Sequence, residues 1–168
     1  MSESQPSAVL TSEALAAVGT AESGEVVIRR DEFQRWAAAV GDHNPLYFDV
    51  EFARAHGHPD VVMPGLFLSP HIGRIPVLDG MRPDGINASP YDELPLPPRR
   101  MAGGEEWEFY DHVYPDATIF WRKELAGLEE KQGSAGPLVV MTWVTEYRGV
   151  DSLVARHTHR LLALGGPA

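Results

Sequence analysis

The chain has 168 residues, 43% of them hydrophobic, with 14 basic and 24 acidic side chains and a net charge of −10. That length suffices for one domain with its own core, and the acidic balance argues against a nucleic-acid or anionic-membrane surface, which requires clustered lysine and arginine. There is no cysteine, which excludes disulfides, thiolate nucleophiles and cysteine-ligated zinc. We find no apolar run near the roughly 20 residues of a membrane span. The start has no basic or apolar leader, so we expect no signal peptide and a cytoplasmic location.

The N-terminal half predicts short helices and one strand. Residues 1–7 are polar and predict a flexible terminus. The elements that follow are a helix over 8–18, a strand over 25–30, a helix from Asp31 to Gly41 and a short helix over 49–56. In the last of these helices, Asp49 is the expected N-cap and Phe52 the expected buried residue.

The C-terminal half predicts a loop and then a sheet. Segment 76–104 is rich in proline and predicts a long loop, because proline supplies no donor to a helix or a sheet ladder. Four strands are predicted after it, over 105–111, 117–128, 137–148 and 152–164. Gly149 begins a tight turn between the last two. One strand, helices, a loop and an antiparallel meander together indicate an α+β domain, in which one curled sheet holds a helix.

One stretch, Gly-Asp-His-Asn-Pro-Leu-Tyr at 41–47, carries the chemistry. It has an ordinary explanation as a turn, because Asp and Asn hydrogen-bond to their own backbone beside Gly and Pro. With Asp49 and Ala53 it also resembles the signature Gly-Asp-x-Asn-Pro-Leu-x-x-Asp-x-x-x-Ala of the MaoC-like dehydratases, the (R)-specific enoyl-CoA hydratases of the hot-dog fold. Met63-Pro64-Gly65 extends this resemblance. The segment Arg-Arg-Met-Ala-Gly-Gly-Glu-Glu-Trp-Glu at 99–108 resembles the family's N-terminal, FAS1-like branch.

The resemblance covers 8–164 and implies a single hot-dog domain, an antiparallel sheet wrapped around a central helix that starts near Gly65. Pro70 departs from the family pattern, so the helix is expected to begin late or to be short. The implied substrate is an acyl thioester of CoA or of a carrier protein, with no cofactor. No metal site is expected, because His157 and His159 share a strand face without a third ligand.

In the family, the motif's Asp and a His two positions after its Pro activate the water that adds across the C2–C3 double bond of the thioester. Carried over, the Asp is Asp42, but Tyr47 occupies the histidine position. A phenol with a pKa near 10 is a poor general base at pH 7, although it can donate a hydrogen bond. Asn44, the amide of the same motif, is grouped with them as a candidate catalytic residue. His43 and His71 are weaker candidates for the missing base.

Two further positions are candidates for binding substrate. The Gly65 amide matches the family's oxyanion donor, a backbone N–H at a helix start that meets the thioester oxygen as negative charge builds. The alternative interpretation of Gly65 is that Pro64-Gly65 only turns the chain into the helix. Arg99 and Arg100 suit the phosphates of CoA, since arginine forks bind phosphate well. Their plainer alternative is the solvated end of a loop.

The leading hypothesis is a subunit of a heteromeric enoyl-CoA hydratase or 3-hydroxyacyl-thioester dehydratase. In it, this chain shapes the acyl pocket and a second MaoC-like hot-dog subunit supplies the Asp/His dyad. One alternative is a self-sufficient homodimeric hydratase that uses Asp42 with Tyr47, His43 or His71. The other is a non-catalytic module that binds acyl-CoA or lipid. A neighbouring gene for a small hot-dog protein with an intact dyad would favour the leading hypothesis, the heteromeric enzyme.

Overall fold

Five antiparallel strands form one sheet in a computed structural model that describes residues 9–69, 81, 94–134 and 136–165. The elements in chain order are α1 (Ser12–Ala16), β1 (Ala21–Val27), α2 (Arg30–Ala39), α3 (Val50–Ala55), β2 (Arg99–Phe109), β3 (Thr118–Gly133), β4 (Gly136–Arg148) and β5 (Leu153–Leu164). Two short 3₁₀ turns, Pro45–Tyr47 and Gly65–Leu68, lie between α2 and β2. The sheet order β1-β3-β4-β5-β2 leaves β1 and β2 at the edges.

The three longest strands form a continuous meander, as the sequence predicts. Alternate residues of β4 are buried from Val139 to Tyr147, the two-residue period of a strand with one face on the core. The predicted tight turn after β4 is confirmed, because the Gly149 N–H donates to the Ser152 carbonyl at 3.0 Å. The α+β class and the antiparallel meander predicted from the sequence are therefore both observed.

The hydrophobic core lies on one face of the sheet, in two groups along its length. The first group joins α2 to the ends of the strands and contains Ile28, Phe33, Met63, Leu68, Val113 and Tyr147. The second covers the other half of β3, β4 and β5 and contains Leu125, Val139, Met141, Trp143 and Ala163. Phe33 is fully buried. The first group borders the turn that carries the candidate site.

Some element boundaries differ from the sequence prediction. β1 begins at Ala21 rather than at residue 25. β2 begins at Arg99, so the last residues of the predicted 76–104 loop belong to a strand. They pair antiparallel with the end of β5, an interaction that the proline-rich segment before them conceals in the sequence. Tertiary pairing here overrides the local signal.

Phe52 is not the buried residue of its helix. The six-residue helix α3 turns Ala53 fully inward, while Phe52 is 36% exposed and stacks on His56 with ring centroids 4.1 Å apart. The predicted N-cap is confirmed, because Asp49 Oδ1 accepts hydrogen bonds from the Glu51 and Phe52 amides. The helix is therefore capped as predicted but packs through a smaller side chain.

Several predictions fall on residues outside the described ranges. These are the flexible terminus 1–7, Pro70, His71 and most of the 76–93 part of the loop. Where the central helix was expected to start, the structure shows the 3₁₀ turn Gly65–Leu68, and the first described range ends one residue later, at Ser69. No helix within the described ranges is long and apolar enough to cross a membrane.

Candidate functional site

The 41–49 segment is a hydrogen-bonded turn that links α2 to α3. Gly41 has φ of 75°, a conformation that glycine adopts without strain, and it ends α2. The Asn44 N–H donates to Asp42 Oδ1 at 3.3 Å, and Asn44 Oδ1 accepts from the Leu46 N–H at 3.1 Å. Asp42 and Asn44 therefore have the turn-forming role that the sequence offered as their ordinary explanation.

The turn also forms one wall of a cavity of about 330 Å³. Four predicted site residues line this cavity together: Asp42, Asn44, Tyr47 and Gly65. Its apolar walls include Trp36, Leu46, Met63, Leu68, Phe109 and Val113. The structure thus brings the polar residues of the motif against an apolar space, an arrangement typical of small-molecule sites.

Tyr47 faces this cavity as a protonated phenol. Partial burial raises its pKa, the negative charge of Asp42 raises it further, and a hydrogen bond with the Asn44 side chain lowers it. The pKa of Tyr47 therefore lies above the usual value near 10. Gln34 Nε2 fixes the backbone by donating to the Tyr47 carbonyl at 2.8 Å. At neutral pH the Tyr47 side chain can donate a hydrogen bond but cannot act as a general base.

Gly65 lines the cavity at a point where a side chain would not fit. A Cβ at this position would lie 2.6 Å from Cε1 of Phe109, whose ring packs against the glycine. Two backbone hydrogen bonds of 2.8 Å hold the preceding residues, from the Val62 N–H to the Leu46 carbonyl and from the Met63 N–H to the Val113 carbonyl. The close approach of Phe109 gives Gly65 a packing reason for being glycine.

Sequence reasoning missed the residues on the β2–β3 connection. Asp111 and His112 line the same cavity, although both residues are exposed. Asp111 Oδ1 accepts from the His112 N–H at 2.8 Å, and Asp111 Oδ2 accepts from Ser152 Oγ at 3.1 Å. No motif marks these residues, because their placement depends on the end of β2 meeting the 61–68 segment.

The structure does not bring the remaining predicted site residues to this cavity. Arg99 and Arg100 begin β2 and pair with Leu164 and Ala163. Phe109 at the cavity is ten residues along the same strand, roughly 30 Å of extended chain. The Arg100 guanidinium donates to the Pro97 carbonyl. No lysine or arginine is among the described lining residues.

The other histidines named from the sequence do not join the site. His43 is exposed and is not among the described lining residues, and His71 lies outside the described ranges. The rings of His157 and His159 stack 5.9 Å apart on β5. Within the described part of the chain, no three His, Cys, Asp or Glu side chains are grouped to hold a metal ion.

Solved structures share this fold. The chain superposes on a chain of the ChsH1-ChsH2 complex from Mycobacterium tuberculosis with a TM-score of 0.70 and 24% identity, covering 92% of this chain and 93% of the other. It also superposes on the 3R-hydroxyacyl-ACP dehydratase complex HadBC of the same organism, with a TM-score of 0.64, 16% identity and coverage of 87% and 96%. The hot-dog fold predicted from the sequence is therefore confirmed.

Sequence relatives match over shorter stretches. The chain is 34% identical over 87 residues to the 3-oxo-4,17-pregnadiene-20-carboxyl-CoA hydratase alpha subunit of Mycobacterium tuberculosis, a match that covers 49% of this chain and 27% of the relative. The chain thus spans about a quarter of the length of the curated relatives it matches. The model of the FAS1-like dehydratase domain region matches residues 16–156, most of the described sheet and the whole 41–65 side of the cavity. The chain therefore belongs to the FAS1-like dehydratase family.

Proposed function

We propose that this protein is a subunit of a heteromeric enoyl-CoA hydratase or 3-hydroxyacyl-thioester dehydratase. It shapes the acyl pocket, while a partner of the same fold supplies the Asp/His dyad. One observation carries the proposal: Tyr47, at the position of the dyad histidine, faces the cavity beside Asp42 with a raised pKa. A protonated phenol cannot take a proton from water at neutral pH.

The reaction requires three things from the assembled site. A base takes a proton from water as its oxygen bonds to C3, the C2–C3 π pair moves toward the thioester oxygen, and C2 then receives a proton. In our proposal the partner's dyad handles the protons. In this chain, the Gly65 amide is the candidate donor for the enolate-like oxygen, and the Tyr47 hydroxyl is a second donor facing the same space.

The charges around the cavity indicate which part of a thioester it takes. The described lining contains two carboxylates, Asp42 and Asp111, and no lysine or arginine. Such a lining disfavours the phosphates of CoA or of a carrier-protein arm, while its apolar walls favour an acyl chain. We therefore assign the acyl end of the substrate to this cavity and leave the phosphates outside it. No cofactor enters the proposed reaction.

The comparisons support a second subunit. Two of the similar structures are complexes of two named proteins, and the curated hydratase relative is called an alpha subunit. These descriptions apply to those proteins. For this chain they make a partner of the same fold the natural source of the missing histidine.

The test compares this chain alone with the complex purified from its native cells. Hydration of crotonyl-CoA and of a longer enoyl-CoA is followed for both at equal concentration of this chain. We expect the complex to be at least 10²-fold faster, the usual contribution of a positioned acid or base. Equal rates would favour the self-sufficient homodimer. No turnover by either, with tight binding of acyl-CoA, would favour the non-catalytic binding module.

A further inference from the structure

The cavity contains a titratable group that neither the motif nor the proposed function uses. Among its described lining residues, one imidazole is present, that of His112. We propose that His112 is a general acid–base residue, through which this chain's own pocket hydrates enoyl thioesters slowly. The inference rests on the proposed function for the substrate class, an enoyl thioester, and adds a catalytic residue to this chain.

The backbone of His112 is held beside the candidate oxyanion donor. The His112 N–H donates to Asp111 Oδ1, and the next carbonyl, that of Val113, accepts from the Met63 N–H at 2.8 Å. Met63 is two residues before Gly65, and both line the cavity. A thioester whose oxygen meets the Gly65 amide therefore has its reacting carbons in the space that His112 also borders.

The ring of His112 has titratable neighbours that define its environment. His58 meets it edge to face, with ring centroids 4.7 Å apart, and His58 Nδ1 is 3.2 Å from the Tyr114 hydroxyl. Asp111, the residue before His112, contributes a carboxylate, which accepts a hydrogen bond from the His112 N–H. Asp42 and Tyr47 line the same cavity.

A single imidazole, that of His112, can both accept and return the proton during hydration. A neutral His112 takes a proton from water as the water oxygen bonds to C3 of the enoyl thioester. The C2–C3 π pair moves through C1 onto the thioester oxygen, where the Gly65 N–H donates to it. The imidazolium then returns its proton to C2 as the carbonyl re-forms, so that a 3-hydroxyacyl thioester leaves and His112 is neutral again.

This activity is expected to be far below that of a paired dyad. In the family motif the Asp and the histidine position belong to one turn, whereas Asp42 and His112 come from separate segments of the chain. His112 is also exposed, so water competes for its proton. A slow reaction of this kind is compatible with a partner that carries the main turnover.

The experiment measures hydration of crotonyl-CoA and of a longer enoyl-CoA by the isolated chain at neutral pH. The variants are His112→Gln and His112→Asn, with His56→Gln as the matched control, because His56 is exposed at the end of α3 and stacks on Phe52 away from the cavity. Circular dichroism and thermal melting establish that each variant is folded. We expect slow wild-type turnover above the rate in buffer.

Both His112 variants should lose about 10²-fold of that turnover, while His56→Gln keeps it. Folded His112 variants that keep the wild-type rate, or a wild-type chain with no turnover above buffer, would overturn the role of His112 and leave the partner proposal intact. Wild-type turnover as fast as that of the native complex, lost in the His112 variants, would support His112 and overturn the partner proposal.

Discussion

Asp42 shows how one residue can combine a structural and a chemical role. Its Oδ1 accepts from the Asn44 amide in the turn, and the same side chain faces the cavity. Asp42→Asn keeps an oxygen acceptor at this place, so the turn should persist. In the assembled complex we expect this change to lower kcat less than tenfold, and removal of the partner's dyad histidine to lower it at least 10²-fold.

The measurement is kcat of both variants with the same enoyl-CoA and matched circular dichroism. If Asp42→Asn abolished activity while the partner's dyad were dispensable, the roles assigned to the two subunits would be reversed.

Gly65 offers a second test at the scale of one residue. In Gly65→Ala the new methyl would lie 2.6 Å from the ring of Phe109, so either the ring or the 63–66 backbone must move. We expect at least a tenfold loss of kcat/KM in the complex and a lower Tm. Gly127→Ala is the matched control, because a methyl added at Gly127 would meet no atom within 4 Å. An unchanged kcat/KM in Gly65→Ala would argue against an oxyanion role for the Gly65 amide.

Some residues of the site are identified by a short sequence motif, whereas others reach the site only through tertiary contacts. Asp42, Asn44 and Tyr47 share one turn, so the motif alone places them together, and the Asp49 cap likewise depends on neighbours in sequence. His112 reaches the cavity through β2 and the Met63–Val113 hydrogen bond, contacts between residues 50 positions apart. Side chains placed by tertiary contact carry no local pattern and were missed for that reason.

At the scale of elements, Glu146 on β4 links β4 to β5 through its ion pair with Arg156. Its carboxylate accepts from Arg156 and from Arg148, each at 2.9 Å, and these hydrogen bonds lower the pKa of Glu146. A lowered pKa means that the ion pairs stabilise the fold above the usual glutamate pKa, about 4.3, and lose that contribution as the pH falls through the folded value.

Glu146→Gln should therefore lower the free energy of unfolding by about 0.5 kcal/mol at pH 7, a size typical of partly exposed pairs, and by less at pH 3. Urea denaturation of both proteins at the two pH values gives the difference. Glu129→Gln, which removes a more exposed pair with Lys131, is the control and should change little at either pH. A Glu146→Gln difference that grows as the pH falls would contradict the assigned pKa direction.

Elements were predictable where the pattern extended over many residues. The alternation along β4 and the Gly149 turn identified the meander from sequence alone. The start of β2 could not be predicted from the sequence. Its residues after the prolines show no alternation of apolar and polar side chains, and they are held in the sheet by pairing with β5. The inward residue of α3 was also wrong, since a two-turn helix has too few positions for its periodicity to identify the buried face.

At the scale of the whole molecule, β2 lies at one edge of the sheet. Of the 11 residues of β2, most are exposed, including Met101 and Phe109, and in the described part of the chain β2 pairs with β5 alone. An exposed edge of this length usually meets another chain. We therefore expect light scattering at micromolar concentration to find an oligomer, and a stable monomer of 18.5 kDa would contradict this expectation.

The central claim is that Tyr47 stands where a dyad histidine would act, and Tyr47→His tests it within one chain. The new imidazole would face the cavity beside Asp42, where Tyr47 now stands. We predict that the isolated Tyr47→His chain hydrates crotonyl-CoA with kcat/KM at least tenfold above wild type, while Tyr47→Phe, which removes only the hydroxyl, gains nothing. A folded Tyr47→His chain that is no faster than wild type would contradict the claim that position 47 is where the catalytic base is missing.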